Sequence, residues 1–159
     1  MADKAKTAEM RKRVHAARER LKNLSRSDRR GPTDPATGES WHRGHVMGHT
    51  AEALNFWTTQ FRAARGGASE VGRGEEGNQK RRDGIDRGEA VAEEELQQAL
   101  DESVVDVLNL LDEMTDEELE REVLFRSRDG DRPARLDELL EMLVIGHLEE
   151  HVAQLAALD

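Results

Sequence analysis

Apolar residues recur at helical spacing in four long segments of the chain. In the first segment they are separated by steps of four, three, four and three residues, which is the stripe of an amphipathic helix facing a core. The third segment repeats this stripe between Leu96 and Met114, so we expect its inner face to be plain hydrocarbon. Four such helices predict an all-α fold, namely a four-helix bundle. The segments are residues 3–24, 41–64, 85–114 and 136–158.

The first two connections are rich in residues that stop helices. Residues 26–40 hold two of the three prolines, which predicts a loop with Ser40 as the N-cap of the second helix. Residues 66–84 combine glycine and charge with almost no large apolar side chain. We therefore expect a long, flexible connection between the second and third helices, with the run Lys80-Arg81-Arg82 as solvated charge. The glycine spacing does not match that of a phosphate-binding loop.

Local signals also divide the region before the last helix. Thr115 and Glu118 have the spacing of a capping box, which predicts a short helical turn. Val123-Leu124-Phe125 favours extended backbone, and Asp129-Gly130 indicates a turn. Arg132-Pro133 then prevents any helix before the last segment begins.

Three histidines share the apolar face of the second predicted helix. At about 100° per residue, His42, His45 and His49 fall on the same side as the core residues. Gly44 and Gly48 weaken a helix by up to about 1 kcal/mol each relative to alanine. We expect these glycines to let a neighbouring backbone or a ligand come close.

The last segment carries two further histidines on its leucine face. His147 and His151 are four residues apart, so their imidazoles lie one helical turn from each other and can coordinate a single metal ion. Such a pair is also common as hydrogen-bonded core histidines. Inward-facing histidines on the second helix favour a metal site over hydrogen-bonded core histidines, because each unsatisfied imidazole in a leucine core costs about 1–3 kcal/mol. A shared metal would offset that cost.

Composition narrows the functional classes. The 159 residues suit a single domain over residues 1–159, and the absence of cysteine removes disulfides, thiolate ligands and a cysteine nucleophile. A net charge of -10 with scattered basic residues argues against a nucleic-acid partner. No signal-peptide pattern and no membrane-length apolar run occur, so we expect a cytoplasmic protein with no membrane partner.

Several short motifs stand in a distinctive order along the chain. They are Trp41, then His49 within GHVMGHTAEAL, the lead Arg132-Pro133 and Arg135-Leu136-Asp137-Glu138-Leu139, and GHLEEH in the last helix. Together they resemble the DinB-like four-helix-bundle superfamily, which includes mycothiol-dependent maleylpyruvate isomerases and bacillithiol S-transferases. The resemblance covers essentially the whole chain.

The resemblance implies a divalent metal, zinc or nickel, held by His49, His147 and His151. His45 competes with His49 for the first role, and with His42 it is otherwise expected at the rim of the pocket. The isomerase branch uses a carboxylate in place of one ligand and carries a further C-terminal domain. With His147 at that position, this sequence is closer to the stand-alone members with three histidines.

Three chemistries are compatible with such a site. The first is S-transfer from a small thiol of the mycothiol or bacillithiol type, which a metal ion would hold as a thiolate. The second is hydrolysis by activated water, with Glu150 as a candidate base. The third is a metal-binding bundle without catalysis, such as a stress or resistance protein. A homodimer is left open.

Overall fold

The helices follow the apolar stripes of the sequence. The computed structural model describes residues 4–24, 31 and 33–158. The C-terminal helix runs continuously over residues 136–157 and contains one π-helical turn, which divides it into three pieces. In chain order the elements are α1 (Ala5–Lys22), α2 (Arg43–Arg65), β1 (Glu70–Gly72), α3 (Glu75–Ala90), α4 (Glu93–Glu113), α5 (Asp116–Leu119), β2 (Glu122–Ser127), β3 (Gly130–Arg135), α6 (Leu136–Leu140), the π-turn (Glu141–Ile145) and α7 (Gly146–Ala157).

The predicted four-helix bundle is confirmed. Helices α1, α2 and α4 and the C-terminal helix surround one apolar core. The stripe of α4 is buried as its spacing predicts, with Val104, Val107 and Leu111 fully inaccessible to solvent. Each such side chain contributes about 1.5–3 kcal/mol when it leaves water, so the stripe supplies much of the driving force for closing the bundle. Within the described ranges, no helix has the length and apolarity needed to cross a bilayer.

The connection after α2 differs from the flexible loop expected for residues 66–84. It forms β1, which pairs in parallel with β2, and then the first ten residues of α3, which continues to Ala90. The predicted third helix is also interrupted, because the chain is extended at Val91 and Ala92 between α3 and α4. The bundle therefore carries a fifth long helix and a small sheet in the order β1-β2-β3.

Glycines explain how a charged, glycine-rich segment packs as a helix. Gly84 and Gly88 of α3 face Gly44 and Gly48 of α2, and a Cβ at Gly44 or Gly88 would overlap the carbonyl oxygen of the other. The two backbones meet directly, so α3 needs few large apolar residues to be buried. The expectation that Gly44 and Gly48 admit a neighbouring backbone is confirmed, and that neighbour is α3.

The capping-box, strand and turn predictions before the last helix are confirmed, whereas one cap differs. Of the loop predicted over residues 26–40, residues 26–30 and 32 lie outside the described part of the chain. Thr115 and Glu118 form a reciprocal capping box at α5, and Gly130 has φ +117° at the turn between β2 and β3. The α2 N-cap is His42 rather than Ser40, and the helix begins at Arg43. The shift arises because the His42 ring accepts the Gly44 amide N–H at 3.0 Å, as a capping hydroxyl would.

Candidate metal centre

Helix α2 and the C-terminal helix bring three histidines together inside the bundle. His49 comes from α2, and His147 and His151 come from α7. The ring centroids of His49 lie 5.4 Å from His147 and 4.9 Å from His151, and those of His147 and His151 are 4.3 Å apart. One nitrogen from each ring lies within 4.8 Å of the others. This group, hereafter the three-histidine centre, can hold a single metal ion.

Hydrogen bonding presents the free nitrogen of His151 to the centre. Its Nδ1 lies 2.8 Å from Oε1 of Gln154 and donates a proton to it, which leaves the lone pair on Nε2. That Nε2 lies 3.0 Å from Nε2 of His147. Two ring nitrogens so close need a shared proton or a shared cation between them.

The third ring carries an orphaned buried atom. His49 is 5% exposed, and its Nδ1 has no hydrogen-bond partner among the described residues. Nitrogen donors of this kind suit zinc and nickel, and three protein ligands leave open positions for a reactant. The residues present therefore fit a divalent metal ion.

The electrostatics keep all three imidazoles neutral. Burial, followed by the charges of His151 and His147, lowers the pKa of His49 to about 2. Burial and then the charge of His151 lower the pKa of His147 to about 4. Burial also lowers the pKa of His151. At neutral pH each ring has a lone pair available, which is the form that binds a metal.

His45 of α2 and the N-cap residue His42 bond to backbone and to α3 rather than to the three-histidine centre. Nδ1 of His45 accepts the His42 amide N–H at 3.3 Å, and the two rings stack at 4.0 Å. Because both Nδ1 atoms accept backbone protons, both Nε2 atoms carry the ring proton. Nε2 of His45 lies 2.9 Å from the Glu89 carboxylate and donates to it. The structure thus uses His42 and His45 to cap α2 and join it to α3, away from His147 and His151.

Two cavities open on the centre. Trp41, at 5.2 Å from the His49 ring, and Gln154 border a cavity of about 370 Å³ together with His151. Glu150 is exposed and does not join the group of three ligand atoms. A second cavity, of about 480 Å³, is lined by Trp57, Arg73, Arg81, Phe125, Arg128 and His147, among others.

Comparison with known proteins identifies the family. The family model of the DinB superfamily matches residues 6–155. The chain belongs to the DinB superfamily. This confirms the resemblance inferred from the motifs around Trp41, His49 and GHLEEH, and all three histidines of the centre lie within the matched residues.

A solved structure shares the DinB fold of this chain. It is the crystal structure of the mycothiol-dependent maleylpyruvate isomerase, with a TM-score of 0.68 and 20% sequence identity. The alignment covers 94% of this chain and 59% of the isomerase, so this chain spans less than two thirds of that protein. No curated protein sequence matches significantly.

Two residues near the three-histidine centre were not predicted from the sequence. Gln154 follows His151 by three residues, a spacing at which helical side chains meet, but a polar residue near a helix end is usually solvated. Arg81 was expected to be solvated charge, whereas it is partly buried and borders both cavities. Its signal is helical phase, because Arg81 lies within about 60° of Gly84 and Gly88 on the face of α3 that packs against α2.

Proposed function

We propose that this protein is a metal-dependent enzyme that activates a small thiol, of the mycothiol or bacillithiol type, for transfer to an electrophile. His49, His147 and His151 would hold the metal. The observation that carries the proposal is the convergence of three neutral imidazoles at a point bordered by two cavities. A divalent zinc or nickel ion there would lower the pKa of a thiol and favour the thiolate at neutral pH.

The surrounding residues suit this chemistry. Gln154 orients His151, and the Trp41 ring lies beside the His49 ring at the edge of the smaller cavity. The positive charge of Arg81 contributes to lowering the pKa of all three histidines, after burial as the main cause. The same charge favours an anionic reactant over a neutral one near the centre. With no cysteine in the chain, the thiol must come from outside.

The two alternatives from the sequence have less support. Hydrolysis was expected to use Glu150 as its base, and Glu150 is exposed and lies outside the three-histidine centre. The nearby carboxylate of Glu52 is bound to Arg73 at 2.7 Å, so it is not available as a free base. A purely structural metal would be expected in a closed site, whereas His147 and His151 each border a cavity.

Metal content and thiol consumption test the proposal together. Protein purified without a histidine tag, and loaded with zinc or nickel, is expected to retain one metal ion per chain. It should accelerate the reaction of a small thiol with monochlorobimane, and His151→Ala should lose both properties. His15→Ala, which changes an exposed histidine of α1, is the matched control. Substoichiometric metal, or equal thiol consumption by the wild type and His151→Ala, would contradict the proposal.

A further inference from the structure

The larger cavity beside the three-histidine centre has an excess of positive charge. Four arginines line it, together with the single carboxylate of Asp131. Two of the arginines are neutralised: Arg73 binds Glu52 at 2.7 Å, and Arg126 binds Glu70 at 2.8 Å and Asp131 at 3.2 Å. The other two are Arg81 and Arg128. Throughout the described ranges, neither of these two guanidinium groups has a hydrogen bond or a salt bridge to a protein group.

The isolation of Arg81 is unusual for its surroundings. Its side chain is partly buried, and burial lowers its pKa, so holding the positive charge there is costly. The carboxylates of Glu39 and Glu52 attract it through space but have other partners. Glu39 accepts the indole N–H of Trp41 at 2.9 Å, and Glu52 binds Arg73. In a chain with a net charge of -10, Arg81 is thus a partly buried cation with no carboxylate bound to its guanidinium group.

The position of Arg81 links the two cavities. It lines the smaller cavity with His151 and the larger one with His147. Its backbone is fixed, because α3 packs against α2 through direct contact between glycines. Arg128 is exposed at the turn between β2 and β3, on the outer rim of the larger cavity. One guanidinium is therefore near the centre and the other at the entrance.

We propose that Arg81 and Arg128 form an oxyanion-binding subsite, which holds the carboxylate or phosphate of a small ligand whose other end reaches the three-histidine centre. Guanidinium groups bind such oxyanions through two parallel hydrogen bonds, which fixes orientation as well as charge. A bound oxyanion would place a negative charge beside the Arg81 guanidinium group, which no protein carboxylate binds. The inference rests on the proposed function only in taking that other end to be the reacting thiol or electrophile.

Calorimetric titration of the metal-free protein tests the subsite without relying on catalysis. The probes are succinate and inorganic phosphate, which distinguish a carboxylate from a phosphate ligand. We expect one of them to bind, and to bind about tenfold more weakly to Arg81→Gln, as loss of a charged hydrogen bond predicts. Arg82→Gln is the matched control, because Arg82 is exposed on the same helix and, among the described residues, its side chain bonds only to Gln79.

A second variant keeps the test valid if Arg81→Gln does not fold. Arg128→Gln changes an exposed turn residue, so the fold should be unaffected while anion affinity falls. The subsite is refuted if neither probe binds, or if Arg81→Gln and Arg128→Gln bind as tightly as Arg82→Gln. Anion binding that depends on Arg81 in a protein that retains no metal would support the subsite and overturn the proposed function. If the protein retains metal and consumes thiol, but both variants leave its anion affinity unchanged, the proposed function stands and the subsite is refuted.

Discussion

Gln154 determines which nitrogen of His151 faces the centre. If its amide oxygen is removed, Nδ1 of His151 loses its acceptor, and the lone pair is no longer held on Nε2. We expect Gln154→Leu to weaken zinc binding by about 10-fold to 100-fold while the fold is retained. Competition with a chromogenic chelator measures this affinity. Gln97→Leu, at an exposed position of α4, should bind zinc like the wild type, and equal affinities in the two variants would contradict this role.

At the scale of residues, the sequence predicts the three candidate ligand histidines better than it predicts the residues that hydrogen-bond to them or surround them. His49, His147 and His151 could be selected because helical phase places them with buried leucines. The role of His45 could not be decided in that way, since it shares the same face. Only the structure shows its ring capping α2 and bonding to Glu89. Arg81 was missed because residues 66–84 were expected to be a loop, in which the helical phase of Arg81 relative to Gly84 has no meaning.

The glycine contact between α2 and α3 holds two site elements in place. A Cβ at Gly88 would overlap the backbone of Gly44 and His45, and neither can move easily inside a helix. We expect Gly88→Ala to lower the free energy of unfolding by about 1–3 kcal/mol, as measured by urea denaturation. It should also weaken anion binding, because Arg81 lies on the displaced helix. Gly66→Ala is the control, because a Cβ there would make only ordinary van der Waals contacts just after α2. Equal stability of the two variants would show that the helices are not in close contact.

At the scale of elements, the sequence predicts those with apolar stripes and misses those without them. The stripe of α4 is visible because leucine and valine recur at helical steps. Helix α3 has no such stripe, because its buried face consists mainly of glycine. Strand β1 was equally hidden, since its parallel partner β2 lies far away in sequence and pairs Val71 with Phe125. Such long-range pairing has no local signature in the sequence.

Acid should destabilise the metal-free molecule through its buried histidines. In the folded protein His49 and His147 have pKa values of about 2 and about 4, whereas unfolded histidine titrates near 6.5. The unfolded chain therefore binds more protons below pH 6.5, and folded stability is lost as the pH falls from there toward 4. Urea titrations from pH 7.5 to 5 in the presence of chelator should show this loss.

Variants separate this effect from ordinary acid denaturation. His49→Gln should have a flatter pH dependence over the same range, because one low-pKa imidazole is removed. His15→Gln, at an exposed position, should retain the wild-type slope. A wild-type slope in His49→Gln would show that the His49 ring is not buried in its neutral form.

For the whole molecule, the central claim is that three imidazoles hold a metal ion open to a thiol. X-ray absorption of the zinc-loaded, tag-free protein, recorded with and without a small thiol, tests it most directly. We predict three imidazole ligands per zinc ion, and one added sulfur at about 2.3 Å when the thiol is present. Fewer than three imidazoles, or a first shell that the thiol leaves unchanged, would contradict the account.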